Sequence, residues 1–447
     1  MKKWFILFIG SLVGIASCGY LDVKPVGQVI PESVTEYRAM LTSGYNSFPQ
    51  YKNLLGVRAD EVFPSAKKTS TYNDYISVAL WDELNPGAYT QAFPWISMYT
   101  AIFYANSVIE NIDEATVDTQ EDSREQLKAE AYMLRAYAHF ELLNLYAVPY
   151  SETTASSDRG IPLSLEIDIE QDYVPQTVER VYEQILADIR DGKALMQVEE
   201  QGLNTRYRFS KRAAQALEAR VLLYRGDWQG AQEAAEALLP AELEDLNLPE
   251  AVAPYRYDSK EAIMTLELPT DRYYAKDYLL VLPNLMNKYH ATGDLRVGSY
   301  YVESDGFHWP KKGNGTDVRM TFRSAEIYLI AAEAAAHRDG QLNEAKDYLK
   351  QLMEKRLTPA YYAEKALEVD DMNQEQLLAE IADERARELA LEGHRWYDLR
   401  RTTQPGITKE YTDLNGERQT AVLRENDARY TIRFPQEATE NNPNLRN

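Results

Sequence analysis

The feature that most constrains this chain is an internal repeat of two apolar segments joined by a glycine. Residues 213–238 (AAQALEARVLLYRGDWQGAQEAAEAL) and 327–352 (IYLIAAEAAAHRDGQLNEAKDYLKQL) align so that Gly226 matches Gly340. In both copies a small alanine follows the glycine by five residues and allows close helix packing. This pattern predicts paired helices of the tetratricopeptide type, which bury their apolar faces only against neighbouring pairs.

A third helical region extends the same frame. Between residues 127 and 145, apolar side chains recur at steps of three and four on two faces of the predicted helix. A helix that is apolar on two faces is packed between two neighbours. We therefore predict that helices at 94–113 and 127–146 form another pair.

The remaining sequence predicts long insertions between helices. Residues 45–92 and 240–320 are rich in Tyr, Asn, Pro and Gly and are interpreted as irregular. A helix is expected from Val34 to about Gly44, and short strands at Ala262–Leu268 and Arg429–Phe434. The predicted fold class is mostly α, with helix pairs, long irregular insertions and a few short strands.

The N-terminus has the layout of a secretory signal peptide. Two lysines precede a short apolar run, which ends in small residues immediately before Cys18. This ending resembles a bacterial lipobox, so we expect residues 1–17 to be removed and Cys18 to carry the lipid attachment. The alternative is an ordinary signal peptide with an incidental cysteine. Cys18 is the only cysteine, and residues 18–447 are expected to form one lipid-anchored domain without a disulfide.

Charge and motifs argue against several classes of function. The net charge of −22 would repel a phosphate backbone, so no nucleic-acid partner is expected. Residues 18–447 contain no nucleophile elbow, phosphate-binding Gly-rich loop or paired-histidine metal motif, so no catalytic residue, metal or cofactor is expected. A glycoside hydrolase remains an alternative because it needs only two carboxylates.

The charged block at 392–401 (EGHRWYDLRR) is interpreted as structural. It contains one histidine, and the sequence has no paired-histidine motif that would complete a metal or catalytic site with it. We expect Trp396 to pack inward and the arginines to pair with carboxylates or bind loop carbonyls.

The predicted ligand surface consists of aromatic residues in the two insertions. The chain has 32 Tyr and only 11 Phe, and a tyrosine ring combines an apolar face with a hydroxyl. Sugars stack on such rings and hydrogen-bond to amides and carboxylates at the ring edges. The predicted ligand-binding residues are Asp60, Tyr72, Asn73, Tyr75, Trp81, Tyr274 and Trp309.

Five blocks, in order along the chain, resemble the SusD/RagB family of outer-membrane nutrient-binding lipoproteins. They are LDVKPVGQVIPESVTEYRAML behind Cys18, AEAYMLRAYAHFELLNLYAVPY, RSAEIYLIAAEAAA, EIADERARELALEGHRWYDLRR and the closing FPQEATENNPNLRN. The resemblance implies a helical fold on tetratricopeptide-like pairs, displayed at the cell exterior. It also implies a partner, a SusC-type TonB-dependent transporter, to which an oligosaccharide or polysaccharide is delivered. A peptide ligand of the same machinery is the alternative, and the chain is short for the family.

Overall fold

A computed structural model of the protein describes residues 31–82, 87, 89–168, 171, 173–313 and 318–446. The expected signal segment at 1–17 and the lipid-attachment residue Cys18 lie outside these residues. Among the helices of the described ranges, none is long and apolar enough to cross a membrane.

Helices dominate the regular structure, which confirms the predicted fold class. They are α1 (Val34–Ser47), α2 (Lys52–Arg58), α3 (Thr69–Ala79), α4 (Ile96–Asn111), α5 (Arg124–Tyr146), α6 (Val178–Leu195), α7 (Lys211–Arg225), α8 (Trp228–Glu236), α9 (Pro283–Met286), α10 (Arg296–Tyr300), α11 (Ser324–Ala336), α12 (Leu342–Glu354), α13 (Pro359–Asp371), α14 (Gln374–Glu388), α15 (Arg395–Arg401) and α16 (Gln436–Asn441).

The internal repeat folds as two adjacent helix pairs, as predicted. Gly226 ends α7 with φ of 79°, and Gly340 lies between α11 and α12 with φ of 77°. This left-handed conformation favours glycine because a side chain would be strained there. Helix α8 packs against α11, where the Trp228 ring stacks on His337 with centroids 3.9 Å apart.

Helix α5 lies between two neighbours, in agreement with its two apolar faces. It packs against α4 on one side and α6 on the other, and almost all of its residues are buried. Ser123 caps its first turn by accepting a hydrogen bond from the Gln126 amide at 3.0 Å.

The prediction that residues 45–92 are irregular throughout was wrong, because α2 and α3 lie within this segment. Every residue of α2 is buried, including Lys52 and Arg58. Lys52 donates to Glu141 at 2.6 Å, and Arg58 donates to the Arg429 carbonyl at 2.6 Å. Partners distant in sequence therefore stabilise a short helix that has no amphipathic period of its own.

The strands form two-stranded antiparallel ribbons. They are β1 (Val62–Pro64), β2 (Arg159–Pro162), β3 (Pro175–Thr177), β4 (Ala262–Met264), β5 (Leu279–Val281), β6 (Tyr301–Ser304), β7 (Phe307–Pro310), β8 (Phe322–Arg323), β9 (Ile407–Thr412) and β10 (Arg418–Leu423). The pairs are β1 with β5, β2 with β3, β4 with β8, β6 with β7, and β9 with β10.

Two predicted strands differ from the structure. The strand expected at Ala262–Leu268 is only the three residues of β4. The strand expected at Arg429–Phe434 was wrong: a 3-10 turn at Ala428–Tyr430 opens this segment. Its backbone then bonds to a helix end, because the Ile432 amide donates to the Leu145 carbonyl at 3.1 Å.

A buried ion cluster joins the 240–320 segment to the helical frame. The Glu388 carboxylate at the end of α14 accepts from Arg296 at 2.9 Å, Arg323 at 2.6 Å and Arg356 at 2.9 Å. Burial alone would raise the pKa of Glu388, but the three guanidinium groups hold it well below its usual range. Glu261 adds a second carboxylate, 2.6 Å from Arg356.

Glu388→Gln is expected to lower the free energy of unfolding by about 3–5 kcal/mol, because three buried guanidinium groups would lose the one carboxylate that they share. Urea unfolding at neutral pH measures this change. Glu417→Gln is the matched control, since Glu417 is exposed on the β9–β10 turn and should change stability by less than about 0.5 kcal/mol. Equal stability of the two variants would show that Glu388 does not hold the cluster together.

A second buried carboxyl has the opposite pKa shift. Glu61 is 1% exposed and accepts from the Leu391 amide through Oε1 at 2.8 Å, while Oε2 has no hydrogen-bond partner within the described chain. Burial raises the pKa of Glu61 to about 7, with a smaller contribution from neighbouring Asp60. The folded protein therefore favours protonated Glu61.

The stabilisation associated with protonated Glu61 should be complete below about pH 4.5 and be lost as pH rises through about 7. Glu61→Gln carries no charge at any pH, so the variant should lose roughly 2 kcal/mol less stability than the parent between pH 5 and pH 8. Chemical unfolding across that range measures the difference. Parallel pH profiles for parent and variant would contradict the raised pKa.

Candidate ligand-binding surface where the two insertions meet

The structure brings together the two segments that the sequence marks as insertions. Strand β1 of the first pairs with β5 of the second, with Val62 opposite Val281. Just beyond this ribbon, the Ser65 amide donates to the Tyr278 carbonyl at 2.8 Å. Strand β5 also contacts β7, so the β6–β7 hairpin joins the same region.

The hairpin turn has the geometry that its sequence requires. Asp305 and Gly306 have φ of 58° and 76°, the pair of positive values found in a type I′ turn. The turn places Phe307 at the start of β7 with 47% of its surface exposed. The Phe307 ring meets the buried Trp309 ring edge-on, with centroids 6.1 Å apart.

Accessible rings and charged groups lie side by side here; we call this the junction surface (Lys67, Lys68, Tyr273, Tyr278 and Phe307). Lys68 Nζ lies 5.2 Å from the Tyr278 ring centroid, and the rings of Tyr273 and Tyr278 are 5.6 Å apart. Both tyrosines are half-buried, and both lysines are exposed. Partly exposed rings beside hydrogen-bonding cations can hold a polar ligand with apolar C–H faces.

Lys67 links the two sides of the junction surface. Its Nζ lies 5.1 Å from the centroid of the Trp309 ring, 3.3 Å from Asp277 and 3.6 Å from Asp305. These exposed ion pairs are worth little as stabilisation, so the three charged groups remain available to hydrogen-bond a ligand.

The buried Tyr75 side chain packs behind Tyr273 of the junction surface. The Tyr75 hydroxyl donates to Asp271, which also accepts from Asn53 Nδ2 at 2.9 Å. The Tyr75 ring then contacts the edge of Tyr273 at 6.0 Å. Helix α3 and the 271–278 turn are thereby fixed relative to each other.

Trp81 lies in the interior, although the sequence predicted it at the ligand surface. It is 2% exposed, its φ is 57°, and its indole N–H donates to the Arg58 carbonyl at 2.8 Å. Lys409 Nζ lies 4.4 Å from its ring centroid. The ring therefore packs against the protein itself.

Most of the other predicted residues are also internal. Trp309, Tyr274, Tyr75 and Tyr72 are buried, and Asn73 is half-buried on α3. Trp309 donates to the Ser304 carbonyl at 3.2 Å, and Tyr274 to the Asn53 carbonyl at 2.5 Å. Trp309 and Tyr75 contact side chains of the junction surface. Direct contact between a ligand and any of these five predicted ligand-binding residues stays a prediction.

Asp60 is held by an ion pair within the protein. Arg395 donates to both carboxylate oxygens, at 2.8 Å and 2.9 Å. Burial would raise the pKa of Asp60, but the charge and hydrogen bonds of Arg395 lower it below its ordinary value. The predicted hydrogen bond from Asp60 to a ligand stays a prediction.

Phe307 and Lys67 are not among the ligand-binding residues predicted from sequence. The sequence does contain a pattern that indicates Phe307. Asp-Gly between two segments of alternating polar and apolar residues is typical of a β-hairpin turn, and Phe307 directly follows it. Lys67 carried no comparable signal, since its position over Trp309 depends on a contact between distant segments.

The EGHRWYDLRR block has a structural role, as predicted. Trp396 is fully buried, and Arg400 donates to the Ala147 and Tyr430 carbonyls. Asp398 accepts from Arg385 at 2.9 Å. Within the described ranges, no cluster of three or more His, Cys, Asp or Glu side chains could hold a metal ion.

Comparison with known proteins agrees with the fold and with the sequence blocks. Residues 19–223 match the SusD-like family described as starch-binding associating with outer membrane, and residues 301–446 match the SusD family. SusD-like protein P38 of Formosa agariphila is 27% identical over 421 residues, which cover 78% of each chain.

Solved structures show the same architecture. A SusD superfamily protein from Bacteroides fragilis has a TM-score of 0.75 at 22% identity, covering 94% of this chain and 100% of that chain. A laminarin-binding SusD-like protein has a TM-score of 0.61 at 19% identity, covering 83% and 92%. At these identities the likeness shows the fold alone. With two family matches in order along the chain, this protein belongs to the SusD/RagB family.

Proposed function

We propose that this protein is a binding lipoprotein of the outer membrane that captures an oligosaccharide or polysaccharide and delivers it to a SusC-type TonB-dependent transporter. The observation that carries the proposal is the junction surface, where accessible aromatic rings lie beside hydrogen-bonding charges. The family matches and the laminarin binding named for one structural relative support a glycan as the ligand.

The chemistry of the junction surface fits a sugar better than an apolar ligand. A pyranose ring presents C–H groups that pack on the faces of Tyr273, Tyr278 or Phe307. Its hydroxyls can accept from Lys67 and Lys68 and donate to Asp277. Trp309 and Tyr75 would then position the contacting rings.

Capture without catalysis is part of the proposal. Glu61, whose pKa is raised to about 7, has the acidity expected of a general acid but is 1% exposed and bonded to the Leu391 amide. A general acid must come within hydrogen-bond reach of the bond that it protonates. Glu61 therefore supports the packing of Leu391 rather than a hydrolytic step.

The proposed membrane attachment is supported by the lipobox-like sequence that ends at Cys18. The proposed transporter partner is supported by membership of the SusD/RagB family. Lipid on Cys18 would tether the domain to the outer membrane, facing the cell exterior, and several acyl chains would make the attachment stable. The transporter would receive the glycan from the tethered domain.

Phe307→Ala is expected to weaken glycan binding by at least about tenfold, because a sugar would lose a stacking face. Isothermal titration with soluble laminarin and starch oligosaccharides measures the change. Phe103→Ala is the matched control, since Phe103 on α4 is 48% exposed against 47% for Phe307.

Equal affinities of the two alanine variants would remove the junction surface as the binding site. Failure of a wider panel of neutral glycans to bind the parent would argue against the glycan itself. Release of shorter sugars during the titration would contradict capture without catalysis and favour a hydrolase.

Cys18→Ala in the full chain should abolish acylation and move the protein out of the outer-membrane fraction, because its lipid is the proposed anchor. Metabolic labelling with a radioactive fatty acid and membrane fractionation measure both effects. The parent should also recover a large β-barrel partner from detergent-solubilised membranes. A parent protein that takes up no labelled fatty acid would contradict the lipid anchor. A parent recovered without a β-barrel partner would contradict delivery to a transporter.

A further inference from the structure

A separate cavity lies on the helical frame, away from the junction surface. It has a volume of about 720 Å³ and is bounded by α7, α8, α11, α14 and α15. Its lining includes Tyr150, Arg225, Trp228, Arg385 and Thr403. A volume of this size lies within the range of small-ligand sites.

The carboxylates in the floor of this cavity are already engaged by arginine. Arg401 donates to both oxygens of Glu333, at 2.6 Å and 2.8 Å. Asp398 accepts from Arg401 at 2.9 Å through one oxygen and from Arg385 at 2.9 Å through the other. The floor therefore offers a ligand few free acceptors.

Several donors in the same cavity have no acceptor. Arg385 is 1% exposed, and its Nη1 and Nη2 are buried in the cavity wall with no hydrogen-bond partner among the described residues, so Arg385 contributes positive charge rather than an exposed donor. The hydroxyl of buried Tyr224 is likewise unpartnered there. Arg225 is half-buried and pairs with no carboxylate of the described chain, its guanidinium lying 5.5 Å from the Tyr150 ring centroid. The cavity thus has an excess of donors.

The acids at the rim do not offset this excess. Asp383 pairs with Lys288, outside the cavity lining. Glu375 lines the cavity but is exposed to solvent at the first turn of α14, where water screens its charge.

We propose that this cavity is a second ligand site that binds a sugar acid, with the ligand carboxylate at Arg225 and the buried charge of Arg385 behind it. Guanidinium binds carboxylate through paired, charge-assisted hydrogen bonds. Tyr150 and Trp228 supply ring surface for the sugar, and Trp228 is fixed by its stack on His337. The proposal concerns a site distinct from the junction surface and does not depend on glycan binding there.

Titration of the full mature chain with D-glucuronate tests the proposal, with D-glucose as the matched sugar that lacks the carboxylate. D-glucuronate should bind at least tenfold more tightly than D-glucose. Arg225→Gln should weaken D-glucuronate binding at least tenfold, and Ala379→Trp, which fills the cavity from its lining, should abolish it. Arg190→Gln is the control, because Arg190 is 73% exposed on α6 and lies outside the cavity lining.

Equal binding of D-glucuronate and D-glucose, or unchanged binding in Arg225→Gln, would overturn the carboxylate site. Equal binding of N-acetyl-glutamate amide would overturn the sugar class and indicate an acidic peptide instead. Phe307→Ala should leave D-glucuronate affinity unchanged. Loss in that variant would place D-glucuronate at the junction surface and overturn the second site.

Discussion

The architecture depends on the Glu388 carboxylate, which holds three buried arginines from separate parts of the chain. Arg296 comes from α10, Arg323 from β8, and Arg356 from the turn after α12. None of these guanidinium groups could be buried alone, because the desolvation penalty of each charge requires a partner. Burial of Arg296 therefore couples the 240–320 segment to the end of α14, where Glu384 and Glu388 supply its counter-charges.

The same cluster is connected by ion pairs to the base of the junction surface. Arg323 also binds Glu392, which accepts from Lys312 just beyond β7. The β6–β7 hairpin that carries Phe307 is thus fixed near its base by buried ion pairs and by the contact of β5 with β7. A binding surface held in place before the ligand arrives loses less conformational entropy on binding.

The parts of the fold that depend on local pattern are predictable from the sequence. The helix pairs around Gly226 and Gly340, and the two buried faces of α5, follow from apolar spacing and from the conformational freedom of glycine. Helix α2 could not be recovered, because Lys52 and Arg58 are polar in sequence yet buried in the fold. Their partners lie about 90 and 370 residues away, a separation that no local pattern reports.

The burial of the predicted ligand-binding aromatics was harder to predict for a related reason. An aromatic residue in a loop-like segment can satisfy its polar atom with a backbone carbonyl, as Trp81 does with Arg58, and then pack inward. Lys409 reinforces this packing, because its ammonium donates to the Val57, Arg58 and Ala79 carbonyls beneath the Trp81 ring. Residue type alone therefore indicates which segments are rich in aromatic side chains, whereas long-range pairing decides which of their rings stay exposed.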